Sequence, residues 1–241
     1  KDQLIVLLFS FLYTANIAFS TISMSMVSLA FHQIVRSMNP VVTLGMEFLF
    51  LGKWRQGVPS DIVSSLGVII FGVGLATLGD YEFTLAGFLM TFLGTILSAL
   101  KGITTHTLLA GNGLQFHPIE LIWRMSGLSF LQCLYMSYTN GEVDRFLFWL
   151  NPTWLYVALA VNGIMAFFVN YVSFSANKKV GALSIAVAGN VKQVMILVIS
   201  VWVFGFSIAL VNGCGIFMTL VGGAWYSMIG VAAKKAKKQL A

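Results

Sequence analysis

Apolar residues run through this chain in long stretches, and short polar breaks separate the stretches at intervals that suit membrane-spanning helices. A helix that crosses the hydrocarbon layer needs about 20 mostly apolar residues. Measured against that length, the pattern predicts eight spans, at 3–24, 28–52, 61–79, 84–110, 117–139, 152–175, 181–204 and 207–230. Helix-start residues mark several of the breaks: Pro59 with Asp61 before the third span, Pro118 at the fifth, Asn151-Pro152 at the sixth. The break between Ser23 and Ser28 is the least marked. The expected fold class is an all-α membrane protein with eight transmembrane helices.

Composition strengthens that reading. Of the 241 residues, 58% are apolar and 9% charged, against about 25% charged in a soluble domain. A net charge of +6 raises nucleic acid as a partner, but the basic residues form no face, and nucleic acid is set aside. They lie in short connections, in the tail, or singly inside apolar segments. Cys133 and Cys214 stand in apolar stretches and read as packing residues. The spacing of the candidate ligands suggests neither a metal site nor a cofactor.

The charges in the connections set a direction. With the C-terminus in the cytosol, that side receives Lys1, Lys53, Arg55, Lys178, Lys179, Lys234, Lys235, Lys237 and Lys238, and the opposite side receives Arg145 alone among basic residues. This is the positive-inside asymmetry.

Two stretches resemble each other. Residues 28–52 carry a basic residue mid-span and close on Leu51-Gly52, and residues 181–205 carry Lys192 mid-span and close on Phe204-Gly205. The following span opens alike in both, with Gly67, Ile70, Phe71 in one and Gly213, Ile216, Phe217 in the other. The two members run in opposite directions, as an inverted repeat requires. Residues 1–79 are then expected to be three spans of a first repeat half, 80–230 the five spans of a second, and 231–241 a basic cytosolic tail. The parent architecture would be ten helices, five plus five, with two helices preceding this segment.

Six charges fall inside spans: Arg36, Glu47, Lys101, Glu120, Arg124 and Lys192. Each costs about 2.5–3.5 kcal/mol near a helix centre on insertion scales, so such residues pair, reach for the interface or line a wet cavity. Glu120 and Arg124, four apart, are expected to pair on one helix face. Glu47 is expected to reach the cytosolic interface or to pair there. Arg36, Lys101 and Lys192 have no acid three or four residues away. The interior surplus of positive charge suits a ligand with about two negative charges, such as a phosphate ester or pyrophosphate. Polar neighbours complete the candidate substrate-binding set: Gln33 beside Arg36, Asn190 beside Lys192, and Asn170 with Tyr171 late in the sixth span. Pro40 is expected to loosen the backbone just after Arg36. An intramembrane enzyme would need paired carboxylates or a metal site. Glu47 and Glu120 stand on different spans without such neighbours, and no catalytic residue is assigned.

The segment FHQIVRSMNPVVT (31–43) resembles the fourth helix of the triose-phosphate and nucleotide-sugar translocator family, within the drug/metabolite transporter superfamily. GALSIAVAGNVKQ (181–193) is similar to its ninth helix and GIFMTLVGGAWYS (215–227) to its tenth. The resemblance implies a ten-helix inverted repeat lacking its first two helices here. It implies an antiporter, not an enzyme, that exchanges a nucleotide sugar or sugar phosphate for a nucleotide monophosphate or phosphate across a Golgi or endoplasmic reticulum membrane. Arg36 falls on the basic position of the fourth helix, with Gln33 as its polar neighbour, and Lys192 on the ninth-helix lysine. Gln193 replaces the arginine typical of plastid members, and AGNVK (188–192) departs from the Gly-Ala-Leu-Asn-Lys of the GDP-mannose branch. The alternatives are a plastid-type phosphate-ester/phosphate exchanger and a carrier of an uncharged solute. Membrane lipid and a second copy of the chain, as a homodimer, complete the expected partners.

Overall fold

The computed structural model describes residues 2–51, 60–77, 84–111, 115–143, 153–186, 188–189, 192, 195, 199, 202 and 210–239. Among these the chain is all-helical. Eight helices follow in order: α1 (Asp2–Met26), α2 (Leu29–Arg36), α3 (Asn39–Leu51), α4 (Ser60–Thr77), α5 (Leu85–Ala110), α6 (Pro118–Thr139), α7 (Thr153–Val180) and α8 (Leu210–Gln239). Residues 182–186, 188–189 and 192 are helical as well. Among the described residues three stretches are long and apolar enough to cross a membrane: Gln3–Met26, Leu85–Ala110 and Trp154–Val180.

Local chemistry explains the helix ends. Ser28 caps α2, its hydroxyl accepting from the backbone N–H of Phe31 at 3.1 Å, which fixes the weakly marked first break. His117 caps α6 and Pro118 occupies its first turn, where a missing N–H is harmless. Gly141 after α6 and Gly181 after α7 have φ of +67° and +88°, a backbone that glycine enters without strain.

The second predicted span is not one helix. It stops at Arg36, turns at Ser37 and Met38, and restarts at Asn39. Ring closure at Pro40 removes the N–H that would bond the carbonyl of Arg36. The turn tightens instead, Met38 N donating to Val35 O at 3.1 Å, before Val42 N resumes the α pattern on Met38 O at 3.1 Å. Arg36 thereby becomes a last-turn residue of α2, at the negative end of that helix's dipole. Two other boundaries also moved. α7 continues through Lys178 and Lys179, which the sequence pattern had assigned to a connection, and α8 runs on past 230 to Gln239.

The chain divides by packing into two compact units: Lys1–Ala15 with Thr104–Lys179, and Asn16–Ile103 with Val180–Ala241. The first is centred on a cluster of Phe9, Leu109, Leu121, Met125 and Phe174, with Tyr13 and Tyr171 packed at its margin. In the second, α4 and α8 pack along each other through glycine. A Cβ on Gly72 would lie 2.6 Å from Thr219 N, and one on Gly222 would lie 2.8 Å from Ile69 Cγ1. Since the later residue of α4 meets the earlier part of α8, the two helices are antiparallel. Small residues suit such a contact, because lipid is as apolar as the helices and association relies on close packing.

Candidate functional site

Arg36, Lys101 and Lys192 all belong to the second unit. Arg36 ends α2, Lys101 stands on α5, and Lys192 lies in the helical residues after Gly181. Arg36 and Lys101 are half-buried, and Lys192 is exposed. They are neighbours in the electrostatic sense: the charges of Arg36 and Lys192 both act on Lys101, and that of Arg36 acts on Lys192. Like charges that act on one another in this way repel.

The second unit also positions Arg36. Its guanidinium donates to Ser20 Oγ at 2.6 Å, and Asn16, one turn earlier on α1, donates its amide to Gly94 O on α5 at 3.0 Å. Gly94 lies two turns before Lys101 on α5, so α1 ties the helix of one cation to the side chain of another. Neither Ser20 nor Asn16 was singled out from the sequence, since a bond between helices leaves no trace in the periodicity of either. Gln33, half-buried, shares the α2 face of Arg36. Asn190 lies outside the described residues.

Asn170 and Tyr171 belong to the first unit, and their contacts lie within it. Asn170 accepts from the Tyr13 hydroxyl at 2.9 Å and donates to Ala166 O at 2.9 Å, while Tyr171 packs on the aromatic cluster. Glu120 and Arg124 form the expected pair at 2.8 Å, with side chains 43% and 45% exposed, so its worth is at most about 1 kcal/mol. Of the two expectations for Glu47, reaching the interface does not hold: it is 7% exposed, with its charge acting on the buried Tyr226.

Among the described residues three apolar helices are long enough to cross a bilayer, and three basic residues share one packing unit. The chain belongs to the Triose-phosphate Transporter family, whose family model matches residues 2–227. It is 26% identical over 223 residues to the GDP-mannose transporter GONST5 of Arabidopsis thaliana, covering 91% of this chain and 64% of the relative. It is 25% identical over 224 residues to UDP-galactose transporter 1 of the same plant (91% and 65%). A third Arabidopsis relative, a "probable sugar phosphate/phosphate translocator", is 25% identical over 220 residues (90% and 61%). The chain thus spans a little under two thirds of the length of each.

Proposed function

We propose that this protein is a secondary antiporter that exchanges a nucleotide sugar or sugar phosphate for a nucleotide monophosphate or phosphate, in a Golgi or endoplasmic reticulum membrane, with its C-terminus in the cytosol. The observation that carries the reading is the grouping of Arg36, Lys101 and Lys192 in one packing unit. Phosphate oxygens, which accept hydrogen bonds and carry charge, relieve the mutual repulsion of these groups. Family relatives that carry nucleotide sugars and sugar phosphates support the substrate class. The antiparallel α4–α8 packing is the arrangement an inverted five-plus-five repeat calls for, since these helices open with the matching glycine, isoleucine and phenylalanine positions. Alternating access about a midplane site follows from such a repeat. A second reading, a plastid-type exchanger, draws its exchange of a sugar phosphate for phosphate from the relatives named for that activity.

Exchange in proteoliposomes tests the proposal. Vesicles preloaded with nucleotide monophosphate take up labelled nucleotide sugar, and Lys192→Gln weakens the affinity about 10- to 150-fold, the loss of one charge-assisted hydrogen bond. Unchanged affinity with a lowered melting temperature would move Lys192 from the site to the scaffold.

A further inference from the structure

Positions 32 and 36, a turn apart, share a side of α2, and positions 39 and 43 share a side of α3. A single tightened turn at Ser37–Met38 joins the two helices. Arg36 is held by Ser20. The other three residues carry buried polar atoms without a hydrogen-bond partner among the described residues: both ring nitrogens of His32, Oδ1 of Asn39 and Oγ1 of Thr43. His32 is 2% exposed and close enough for the charge of Arg36 to act on it; Thr43 is 1% exposed.

Buried polar groups are almost always bonded, and threonines elsewhere in the same unit show how readily a helix satisfies a hydroxyl. Thr91 donates to Gly87 O at 2.8 Å, Thr95 to Thr91 O at 2.9 Å, and Thr219 to Gly215 O at 2.8 Å. Thr43 has the carbonyl of Asn39 one turn back and leaves it unused. A neutral imidazole offers one donor and one acceptor, an amide oxygen only accepts, and a hydroxyl does both. A fully ionised phosphate fits this set poorly, because it brings acceptors alone and would face the oxygen of Asn39. Hydroxyl groups, each donor and acceptor at once, match it atom for atom.

We propose that His32, Asn39 and Thr43 bind the hydroxyl-rich, sugar-like part of the substrate, beside the phosphate-binding cations. This rests on the phosphate reading above and extends it. The anion anchors on Arg36, Lys101 and Lys192, and the uncharged polyol extends along α2 and α3. This polar set is closed in this structure, and the break at Ser37–Met38, where the ladder is already interrupted, is the point at which it opens.

Two ligand pairs isolate the polyol: UDP against UDP-galactose, and inorganic phosphate against glucose 6-phosphate. Affinities are read from thermal stabilisation of the purified protein and from competition in proteoliposomes. Thr43→Val, which keeps shape and removes the hydroxyl, lowers affinity about tenfold for the sugar-bearing member of whichever pair binds and leaves the sugar-free member unchanged. Asn39→Ala, at a half-buried position, carries the same readout where Thr43→Val does not fold. Arg36→Gln weakens both members alike. An equal loss for both members with Thr43→Val and Asn39→Ala, or no loss at all, overturns the polyol assignment while leaving the phosphate reading intact. Binding of neither pair by the unaltered protein overturns both.

Discussion

Arg124 and Arg36 are both arginines within predicted spans, and their neighbours treat them differently. In the first unit Arg124 has a carboxylate at 2.8 Å and the ring of Phe116 at 5.4 Å from its guanidinium carbon. Lys178 there donates to Phe116 O at 3.2 Å, and Asn170 is bonded through both ends of its amide. In the second unit Arg36 has a serine hydroxyl, and the charges that act on Lys101 are those of Arg36 and Lys192. The first unit has buried orphans too, among them Thr14 Oγ1 and Ser129 Oγ. The difference lies in the handling of charge. In the first unit the described charges meet a carboxylate or a carbonyl, whereas in the second three cations act on one another, and it is there that the proposed anion site would lie.

The strongest way to break this contrast is at Lys101. Lys101→Gln retains a donor while removing the charge on which the other two cations act. Affinity for a phosphate-bearing substrate falls about 10-fold or more, and the melting temperature, read on the same protein, separates a site role from a scaffold role. A fall in melting temperature with unchanged affinity would make Lys101 a scaffold residue and erase the distinction between the units. In the first unit the expectation inverts. Tyr13→Phe removes the bond to Asn170 and costs about 1 kcal/mol of stability, seen in thermal unfolding, with substrate affinity unchanged. Altered affinity there would return Asn170 to the binding site. The smallest effect is at Arg124. Arg124→Gln shifts stability by no more than about 1 kcal/mol and leaves transport kinetics as they were, since both partners are well exposed.

Much of this organisation is legible in the sequence, for physical reasons. Span lengths follow from bilayer thickness; Pro118 and Gly181 mark helix ends through their backbones, and Ser28 does so through the hydroxyl that caps α2. Lone cations in apolar runs announce themselves, since burying charge is expensive enough to need a cause. Pro40 signalled a loosened backbone, although the split of the span into two helices at Ser37–Met38 was not foreseen. The burial of Glu47 beside Tyr226, the serine that holds Arg36 and the absorption of Asn170 into the aromatic unit were not legible. Each depends on which helix lies alongside, and a single helix's periodicity contains no record of its neighbours.

The glycine contact between α4 and α8 has a consequence for biosynthesis. Gly72 and Thr219 stand about 150 residues apart in the chain, so at about 5–20 residues per second the ribosome needs roughly 10–30 s to deliver the second helix after the first. Throughout that interval the glycine-lined face of α4 is inserted without its partner. It must be covered by lipid or by an insertion factor, and the unit that gathers the cations cannot close until α8 has left the ribosome.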